Sequence, residues 1–335
     1  MQTRRATIYD VATRAGVSKS LVSLVLHGDK RVSDEKRLAV QNAISELGYK
    51  PSRAAKTLAG AATKTIGFVI EDHASPWYVG VLDGMREVFD QAGFQVTTSD
   101  MHQASSSVDD PVETFLSLHV DALVLGIEPS EIRAKTLPIP CVVVSDRKSQ
   151  MYGADIVMAD DYQGARMITE HLIELGHKKI GHIAASSGPS VPRRKGYIDA
   201  MKAHGLDTYL VGDQYEPNSE NGFAAMKEML ELEPLVTAVV STNDSLAAGA
   251  IAYLKANNIS VPQDISITGF DNSSVAQSYL MNLTTVDYQI HQIGQQTARL
   301  ILNRMKQPLR PIEKVVMPCE VVVRGTTAKP RKSSK

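Results

Sequence analysis

The sequence predicts a small all-α N-terminal domain followed by a larger α/β core of two doubly wound, Rossmann-like lobes. Three capped helical patterns occupy the start of the chain, and short β-branched runs alternate with helical stretches from Thr65 onward. Charge divides at the same place: residues 1–62 carry 11 Lys and Arg against 5 Asp and Glu, or +6, which leaves −7 for the rest of a chain of net charge −1. A basic head on an acidic body is typical of a nucleic-acid-binding module joined to another domain.

The N-terminal helices are predicted from the residues at their ends. Thr7 with Asp10 resembles a capping box and begins a first helix that ends at Gly16. Ser18 is a good N-cap for a second helix, and a third capped helix follows over residues 33–48. Two short helices joined by a tight turn are the sequence form of a helix-turn-helix, whose second helix presents its first residues to the DNA major groove.

The core is predicted from short runs that have strand character, most of them followed by a helical stretch. These runs are TIGFVI, ALVLGI, CVVVSD, IVMAD, KIGHIAA, YLVGD, AVVSTND and ISITGFD. Strands that alternate with helices indicate parallel sheets, and this many strands over about 270 residues are too many for one sheet. We therefore expect two similar lobes, with a ligand bound between them where strand carboxyl ends meet.

A short basic segment, KPSRAAKTLAGAATKT, connects the two regions. It is rich in small residues and cations and has almost nothing to bury. Several of its residues are good helix formers, but a helix this short is marginal alone. We expect it to fold only against a partner.

Composition and motif content narrow the class of protein. No run approaches a membrane span, the start lacks an apolar h-region, and Cys141 and Cys319 make no disulfide framework, so we expect a soluble, cytoplasmic, nucleoid-associated protein. The chain has no G-x-G-x-x-G, P-loop or G-x-S-x-G motif, which argues against an enzyme or a cofactor. His177 and His182 flank a strand without a third ligand, so no metal site is predicted.

Long stretches of the chain follow one known family in order and spacing. They are TIYDVATRAGVS, VSLVLHG and RVSDEKRLAVQNAISELGYKPSRAAKTLAG near the start, then SPWYVGVLDGM, DDYQGARMITEHLIELGHKKIGHI, RRKGYIDAM, STNDSLAAGAIAYLKANNISVPQDISITGFDN and LTTV. Over about residues 6–326 the chain thus resembles the lactose-repressor/galactose-repressor (LacI/GalR) family of bacterial transcription regulators. The resemblance implies a periplasmic-binding-protein-like core and a homodimer that represses transcription at a near-palindromic double-stranded operator, under control of a small-molecule effector.

The resemblance also implies domain boundaries. They are residues 1–49 for the helix-turn-helix domain, 50–63 for a hinge helix or linker, 64–326 for a two-lobed effector-binding and dimerisation domain, and 327–335 for a basic disordered tail. Within the core, lobe 1 is expected over about 64–160 and 289–319, and lobe 2 over about 161–288 and 320–326.

By resemblance, DNA-binding residues lie in the second helix and in the hinge. Lys19, Ser20 and Leu24 fall where the family contacts bases, Ser18, Ser23 and Arg53 where it contacts phosphates, and Thr7, His27, Ala55 and Leu58 complete the set. Leu58 would be an apolar wedge in the minor groove, beside an Ala55 that lets paired hinges approach. Leu21, Leu24 and His27 depart from the family's common residues. Because leucine cannot hydrogen-bond a base edge, the family's usual operator is not implied, and a contact of Leu24 with a thymine methyl is a hypothesis.

By the same resemblance, effector-binding residues are expected at strand ends and first helical turns. They are Trp77, Tyr78, Asp146, Arg193, Tyr215, Asn243 and Asp271, with Ser145 where the family usually has Asp. An arginine fork and an acceptor carboxylate can each hold ligand hydroxyls while an aromatic ring covers an apolar face, which favours a sugar or polyol. Tyr215 falls where some members stack on a base, so a nucleoside or purine stays open, as does a plain core role for Trp77.

Two other classes share parts of this pattern. A stand-alone solute-binding protein would have the same two-lobed body but would need an export signal, and a Rossmann-like enzyme would need a phosphate-binding loop. The effector, the operator, the direction of regulation and the choice between dimer and tetramer are not determined by the sequence. The tail RGTTAKPRKSSK, however, lacks the leucine heptads with which some relatives tetramerise.

Overall fold

The structure is a computed structural model that describes residues 6–26, 28–29, 31–49, 63–101, 110–129, 137–149 and 151–331. It divides into two compact units, residues 1–63 and residues 64–335. Each unit is described by itself. In the described part of the chain, no helix is long and apolar enough to span a membrane.

The described part of the first unit contains three helices: α1 (Ile8–Ala15), α2 (Lys19–Leu26) and α3 (Asp34–Leu47). The capping box is confirmed, since Thr7 Oγ1 accepts from the backbone N–H of Asp10 while Asp10 Oδ2 accepts from the backbone N–H of Thr7. Gly16 ends α1 with a φ of 64°, a left-handed conformation that suits glycine. The apolar sides of the helices meet in one small core, which includes Val22 and Val40.

The second unit alternates strands and helices. In chain order they are β1 (Thr65–Ile70), α4 (Pro76–Gln91), β2 (Gln95–Asp100), α5 (Pro111–Ser117), β3 (Ala122–Leu125), β4 (Cys141–Val144), β5 (Asp155–Ala159), α6 (Asp161–Glu174), β6 (Ile180–Ile183), α7 (Ser190–Ala203), β7 (Tyr209–Val211), α8 (Ser219–Leu232), β8 (Ala238–Ser241), α9 (Asp244–Ala256), β9 (Ser266–Thr268), α10 (Ser274–Gln277), β10 (Thr285–Asp287), α11 (Ile290–Lys306), β11 (Lys314–Met317) and β12 (Glu320–Val322).

The strands form two parallel sheets, one in each lobe. Lobe 1 has the order β11-β5-β4-β3-β1-β2, and lobe 2 has the order β7-β6-β8-β9. All pairs within both sheets are parallel, whereas β10 and β12 form a separate antiparallel pair. Most strands are buried on both faces, as expected of sheets covered by helices. The predicted fold class is confirmed.

Three segments connect the lobes: the β5 to α6 step, the β10 to α11 step and the β11 to β12 step. The first and third segments contact each other, and the second is held by a hydrogen bond within itself. Cys319 Sγ donates to the carbonyl of Asp160 at 3.3 Å, joining the third segment to the first. In the second, Gln289 has a φ of 62°, and its N–H donates to Asp287 Oδ1 at 2.6 Å. The lobes therefore share a narrow connection at which small backbone changes rotate one against the other.

A buried ion pair anchors the turn between α11 and β11 in lobe 1. Arg304 Nε and Nη2 donate to the two carboxylate oxygens of Asp155, at 2.9 and 2.5 Å, and the guanidinium also donates to the carbonyls of Arg310 and Pro311. The fork geometry of arginine permits this many bonds at once. The pair fixes the turn between α11 and β11, and so sets the register of the edge strand.

The end of the chain differs from the prediction of a disordered tail over 327–335. Ala328 donates its N–H to Ser266 Oγ at 3.1 Å, and its carbonyl lies 2.8 Å from Nε2 of His177. Arg331 pairs with Asp264 at 2.9 Å. The prediction is wrong for residues 327–331, because lobe 2 offers specific polar partners that composition cannot reveal; residues 332–335 lie outside the described residues.

Candidate nucleic-acid interface and ligand cleft

Helix α2 has one buried side and one exposed side. Val22 and Val25 pack into the core of the first unit, while Lys19, Ser20 and Leu24 are exposed on the opposite side. A side-chain cap fixes the start of the helix, since Ser18 Oγ accepts from the N–H of Leu21 at 3.2 Å. That is the arrangement a recognition helix needs: its apolar side holds it and its first turns remain accessible.

Two of the predicted DNA-binding residues make local contacts. Thr7 Oγ1 donates to Asp10 Oδ2 at 2.7 Å, so its hydroxyl is part of the capping box. Lys19 Nζ donates to the hydroxyl of Tyr9 at 3.3 Å and lies 5.0 Å from the centre of that ring. Tyr9 is 63% exposed and was not among the predicted DNA-binding residues. Its position outside the apolar side of α1 is the sequence feature that could have indicated an exposed side chain beside Lys19. His27, Arg53, Ala55 and Leu58 lie outside the described residues.

The second unit has a cleft between its lobes, where strand carboxyl ends of both sheets meet. It holds about 780 Å³ of space, measured out to its open mouth. Its lining residues follow β1, β4, β6, β7, β8, β9 and β10 or lie in the first turns of the next helix. They are Glu71, Asp72, Ser75, Trp77, Tyr78, Ser145, Arg147, Ser187, Pro189, Arg193, Glu216, Pro217, Asn218, Thr242, Asn243, Asp271 and Tyr288.

Five of the seven predicted effector residues line this cleft: Trp77, Tyr78, Arg193, Asn243 and Asp271. The structure does not bring Asp146 or Tyr215 to its wall. The chain turns at Ser145, whose φ is 75°, and the Asp146 carboxylate accepts from the N–H of Arg147. Ser145 and Arg147 face the cleft in its place. Tyr215 packs instead against the core of lobe 2.

Arg193 is the buried centre of the cleft floor. Its Nε donates to Asp161 Oδ1 at 2.7 Å, and its Nη1 donates to the carbonyl of Thr242 at 2.7 Å and to Asp271 Oδ1 at 3.3 Å. The guanidinium also lies 3.7 Å from the centre of the Phe270 ring, a close cation–π contact. These contacts hold the guanidinium in one orientation before any ligand arrives.

The two carboxyl groups around Arg193 have pKa values above the ordinary value of aspartate. Burial raises the pKa of Asp271 to about 7, although the Arg193 charge opposes that change. Burial likewise raises the pKa of Asp161, whose Oδ2 accepts no hydrogen bond among the described residues. For Arg193, burial lowers the pKa, but the attraction of both carboxylates outweighs it and the pKa is raised overall. The single positive charge of Arg193 thus interacts with both buried carboxyl groups.

The other predicted residues have more local roles. Tyr78 donates its hydroxyl to the carbonyl of Gly126 at 2.6 Å, and burial raises its pKa to about 12, so it contributes its ring to the wall. Trp77 is half-buried with its ring edge-on to Tyr78, 4.9 Å between centres. Asn243 caps α9 through the N–H of Leu246 and donates to the carbonyl of Pro217. These contacts shape the cleft rather than leave its polar atoms unused.

A possible metal-ligand group lies beside the cleft. Asp72, His73 and Asp100 place three ligand atoms within 4.8 Å of one another. His73 Nδ1 is 2.6 Å from Asp100 Oδ2, and the His73 N–H donates to the same oxygen. This hydrogen bonding accounts for the geometry of the group without an ion.

Comparisons with known proteins identify both units. Residues 7–52 match the family model "Bacterial regulatory proteins, lacI family", and residues 169–327 match "Periplasmic binding protein-like domain". The chain is 32% identical over 312 residues to the HTH-type transcriptional repressor PurR of Actinobacillus pleuropneumoniae serotype 3 (strain JL03), covering 90% of this chain and 91% of that protein. It is also 32% identical over 323 residues to the HTH-type transcriptional regulator GalR of Escherichia coli (strain K12), covering 93% of each.

Solved structures agree. The Lac repressor dimer bound to operator and the anti-inducer ONPF superposes with a TM-score of 0.81 at 25% identity, covering 97% of this chain and 100% of that chain. The complex of the transcriptional regulator CelR with cellobiose has a TM-score of 0.68 at 28% identity, covering 96% and 100%. This chain therefore belongs to the lacI family of bacterial regulatory proteins, a family of DNA-binding transcriptional regulators.

Proposed function

We propose that the protein is a ligand-responsive repressor that binds a near-palindromic operator as a homodimer. The observation that carries the proposal is the pairing, in one chain, of a helix-turn-helix with a two-lobed core whose cleft floor holds a preorganised arginine and carboxylate, Arg193 and Asp271. The effector is a small molecule held in this cleft, and the operator is contacted by α2.

The cleft floor supports a sugar or polyol as effector. Among the described residues, no hydrogen bond uses Arg193 Nη2 or Asp271 Oδ2. A donor beside an acceptor suits neighbouring hydroxyl groups, and the half-buried ring of Trp77 can cover the apolar face of a sugar. CelR, a relative by structure, has been solved with cellobiose.

A purine or nucleoside is the second candidate. It follows from the resemblance, in which Tyr215 falls where some family members stack on a base. The residue on which the sequence argument for base stacking rested, Tyr215, packs in lobe 2 rather than at the cleft wall. Sugars and polyols therefore rank first.

The cleft floor also suggests how occupancy reaches the lobes. Asp161, the first residue of α6, directly follows one interlobe segment, and Tyr288 lies in another. Asp161 holds Arg193 Nε, and the Tyr288 hydroxyl donates to Asp271 Oδ1 at 2.8 Å. An effector that engages Arg193 and Asp271 therefore acts on two segments about which the lobes rotate. The coupling is reciprocal: operator DNA weakens the binding of an inducer by the same factor by which the inducer weakens the binding of operator DNA.

The hinge and the dimer complete the proposal. Leu58 is assigned the wedge role, and Leu58→Ala is expected to lose specific operator binding while keeping salt-sensitive nonspecific binding. Equal operator affinity of the two proteins would count against the wedge.

For dimerisation, Tyr279 and Leu280 form an apolar pair on lobe 2 that is 106% and 88% exposed. Leu280→Asp should shift the sedimenting species toward monomer.

The effector is found by a thermal-shift panel on the full-length protein. Cellobiose, D-galactose, D-ribose, xylitol, guanosine and hypoxanthine are compared, because a ligand at 100 times its Kd stabilises the folded state by about 2.7 kcal/mol. Arg193→Ala should abolish the shift. Arg194→Ala is the matched control, since Arg194 lies on the same helix but pairs with Asp213 at the surface. A shift that survives in Arg193→Ala would refute the assignment of the cleft floor.

A further inference from the structure

The outer side of α2 has an unusual chemical make-up. It presents Lys19 at the start, then Ser20, the half-buried Ser23 and Leu24, and the helix contains no Arg, Asn or Gln. Lys19 is therefore the one residue of this helix that can make paired hydrogen bonds to guanine, and none of its residues can make the paired bonds to adenine. A serine hydroxyl bonds to several base edges and discriminates poorly between them.

Leu24 is the distinctive group on this side. It is 38% exposed and is not part of the core of the first unit, in contrast to Val22 at 0% and Val25 at 8% on the other side of the helix. The partly buried Leu21 and Leu26 do pack against that core. Packing in that core therefore does not account for the isobutyl group, which lies on the exposed side of α2 with Ser20.

Only one feature of the major groove rewards an apolar side chain with sequence information, namely the methyl group at C5 of a pyrimidine. We propose that Leu24 recognises such a methyl group, so that each operator half-site carries a thymine or a 5-methylcytosine opposite Leu24. The inference rests on the proposed function, because it requires that α2 enters the major groove. It makes methyl contact, rather than a hydrogen bond, the principal source of discrimination at that base pair.

The size of the effect follows from the area of one methyl group. Removing one buried methyl is expected to weaken binding about fourfold for one half-site, and about fifteenfold when both half-sites of a dimeric operator lose it. A cytosine should behave like the demethylated base, and 5-methylcytosine should recover part of the affinity. A hydrogen-bonding reader would not respond to the methyl group in this way.

The test begins with selection of operators from random duplexes by the full-length protein. Each thymine of the selected half-site is then replaced by deoxyuracil, which removes only the methyl group, and affinities are measured for the unchanged protein and for Leu24→Ala. Alanine is a good helix former, and Leu24 is outside the core, so the variant should fold. Leu38→Ala on α3 is the matched control, because Leu38 is also an exposed leucine, at 58%.

The expected result is one thymine per half-site whose replacement weakens the unchanged protein and Leu38→Ala about fifteenfold but leaves Leu24→Ala unaffected. If that thymine is replaced by cytosine, affinity should fall, and methylation of the cytosine at C5 should raise it again for the unchanged protein and Leu38→Ala but not for Leu24→Ala. This arm separates the two methyl sources. If no deoxyuracil substitution distinguishes the unchanged protein from Leu24→Ala, the inference is overturned while operator binding stands. If no near-palindrome is enriched, the proposed function itself fails.

Discussion

Replacing Arg193 by alanine is the most informative perturbation of the cleft. The change removes hydrogen bonds to Asp161, to the carbonyl of Thr242 and to Asp271, together with the contact on Phe270. It leaves two buried carboxyls without their shared cation. Removing one partner of a buried ion pair costs about 3–5 kcal/mol of unfolding free energy. At about 2–4 °C per kcal/mol, the melting temperature of the core should fall by about 6–20 °C.

The loss should depend on pH in a defined direction. Without the guanidinium, the pKa values of Asp161 and Asp271 rise further, because the attraction that opposed the effect of burial is gone. As the pH falls, a larger fraction of both carboxyls is then protonated and neutral in the folded state, and the variant loses less stability. At pH 8 the folded state must either bury two negative charges or hold protons against the solvent. The difference from the unchanged protein should therefore grow from pH 5 to pH 8.

Calorimetry of the full-length protein measures both effects. Arg194→Ala serves as the control, since its surface pair with Asp213 is expected to contribute about 1 kcal/mol or less. Arg193→Lys keeps the charge but loses the fork, and should lie between the unchanged protein and the alanine variant. If Arg193→Ala melts within 2 °C of Arg194→Ala at pH 8, the buried ion-pair network does not stabilise the core and the reasoning is refuted.

Three further predictions concern other parts of the chain. Because the folded pKa of Asp271 is about 7 against about 3.9 when unfolded, the folded state holds its proton longer, so stability should fall between pH 4 and pH 7 by up to about 1.4 kcal/mol per pH unit; Asp271→Asn should flatten this slope in thermal melts, and an unchanged slope would contradict the assignment. Thr7→Ala should cost about 1 kcal/mol through loss of the capping box and lower hydrogen-exchange protection of α1 about fivefold, with no loss expected in α3. Arg304→Ala should leave Asp155 buried and unpaired and cost about 3–5 kcal/mol in urea unfolding; a midpoint equal to that of the exposed Arg299→Ala would speak against it.

Sequence alone predicted the parts of the structure that depend on neighbouring residues. Capping at Thr7 and the end of α1 at Gly16 are local, and the apolar runs of the central strands are recognisable because both faces are buried. The edge strand β2 was not predicted, since its QVTTSD sequence is half-exposed and polar. Strand β11 was also missed, because it pairs with β5, far earlier in the chain.

The candidate site shows the same limit. Arg193, Asn243 and Asp271 were predicted because they match ligand positions of the family, and each lies in the first turns of a helix or at the end of a strand, where they line the cleft. Asp161 was not, since its tie to Arg193 spans 32 residues and no local pattern marks it. The exchange of Asp146 for its neighbours Ser145 and Arg147 depends on a single positive φ, which sequence does not specify for a serine.

The late synthesis of β11, which pairs with β5, determines when the sheet of lobe 1 can be completed. Between Ala159, at the end of β5, and Lys314 lie 154 residues, which take roughly 8–30 s to translate. During that time β5 is an unpaired edge strand, open to chaperones or to unwanted pairing. The N-terminal helices, by contrast, pack on one another within residues 6–49 and can fold early. A chain that ends before Lys314 would thus have DNA-binding helices on an unfinished core, and only complete chains could act as regulated repressors.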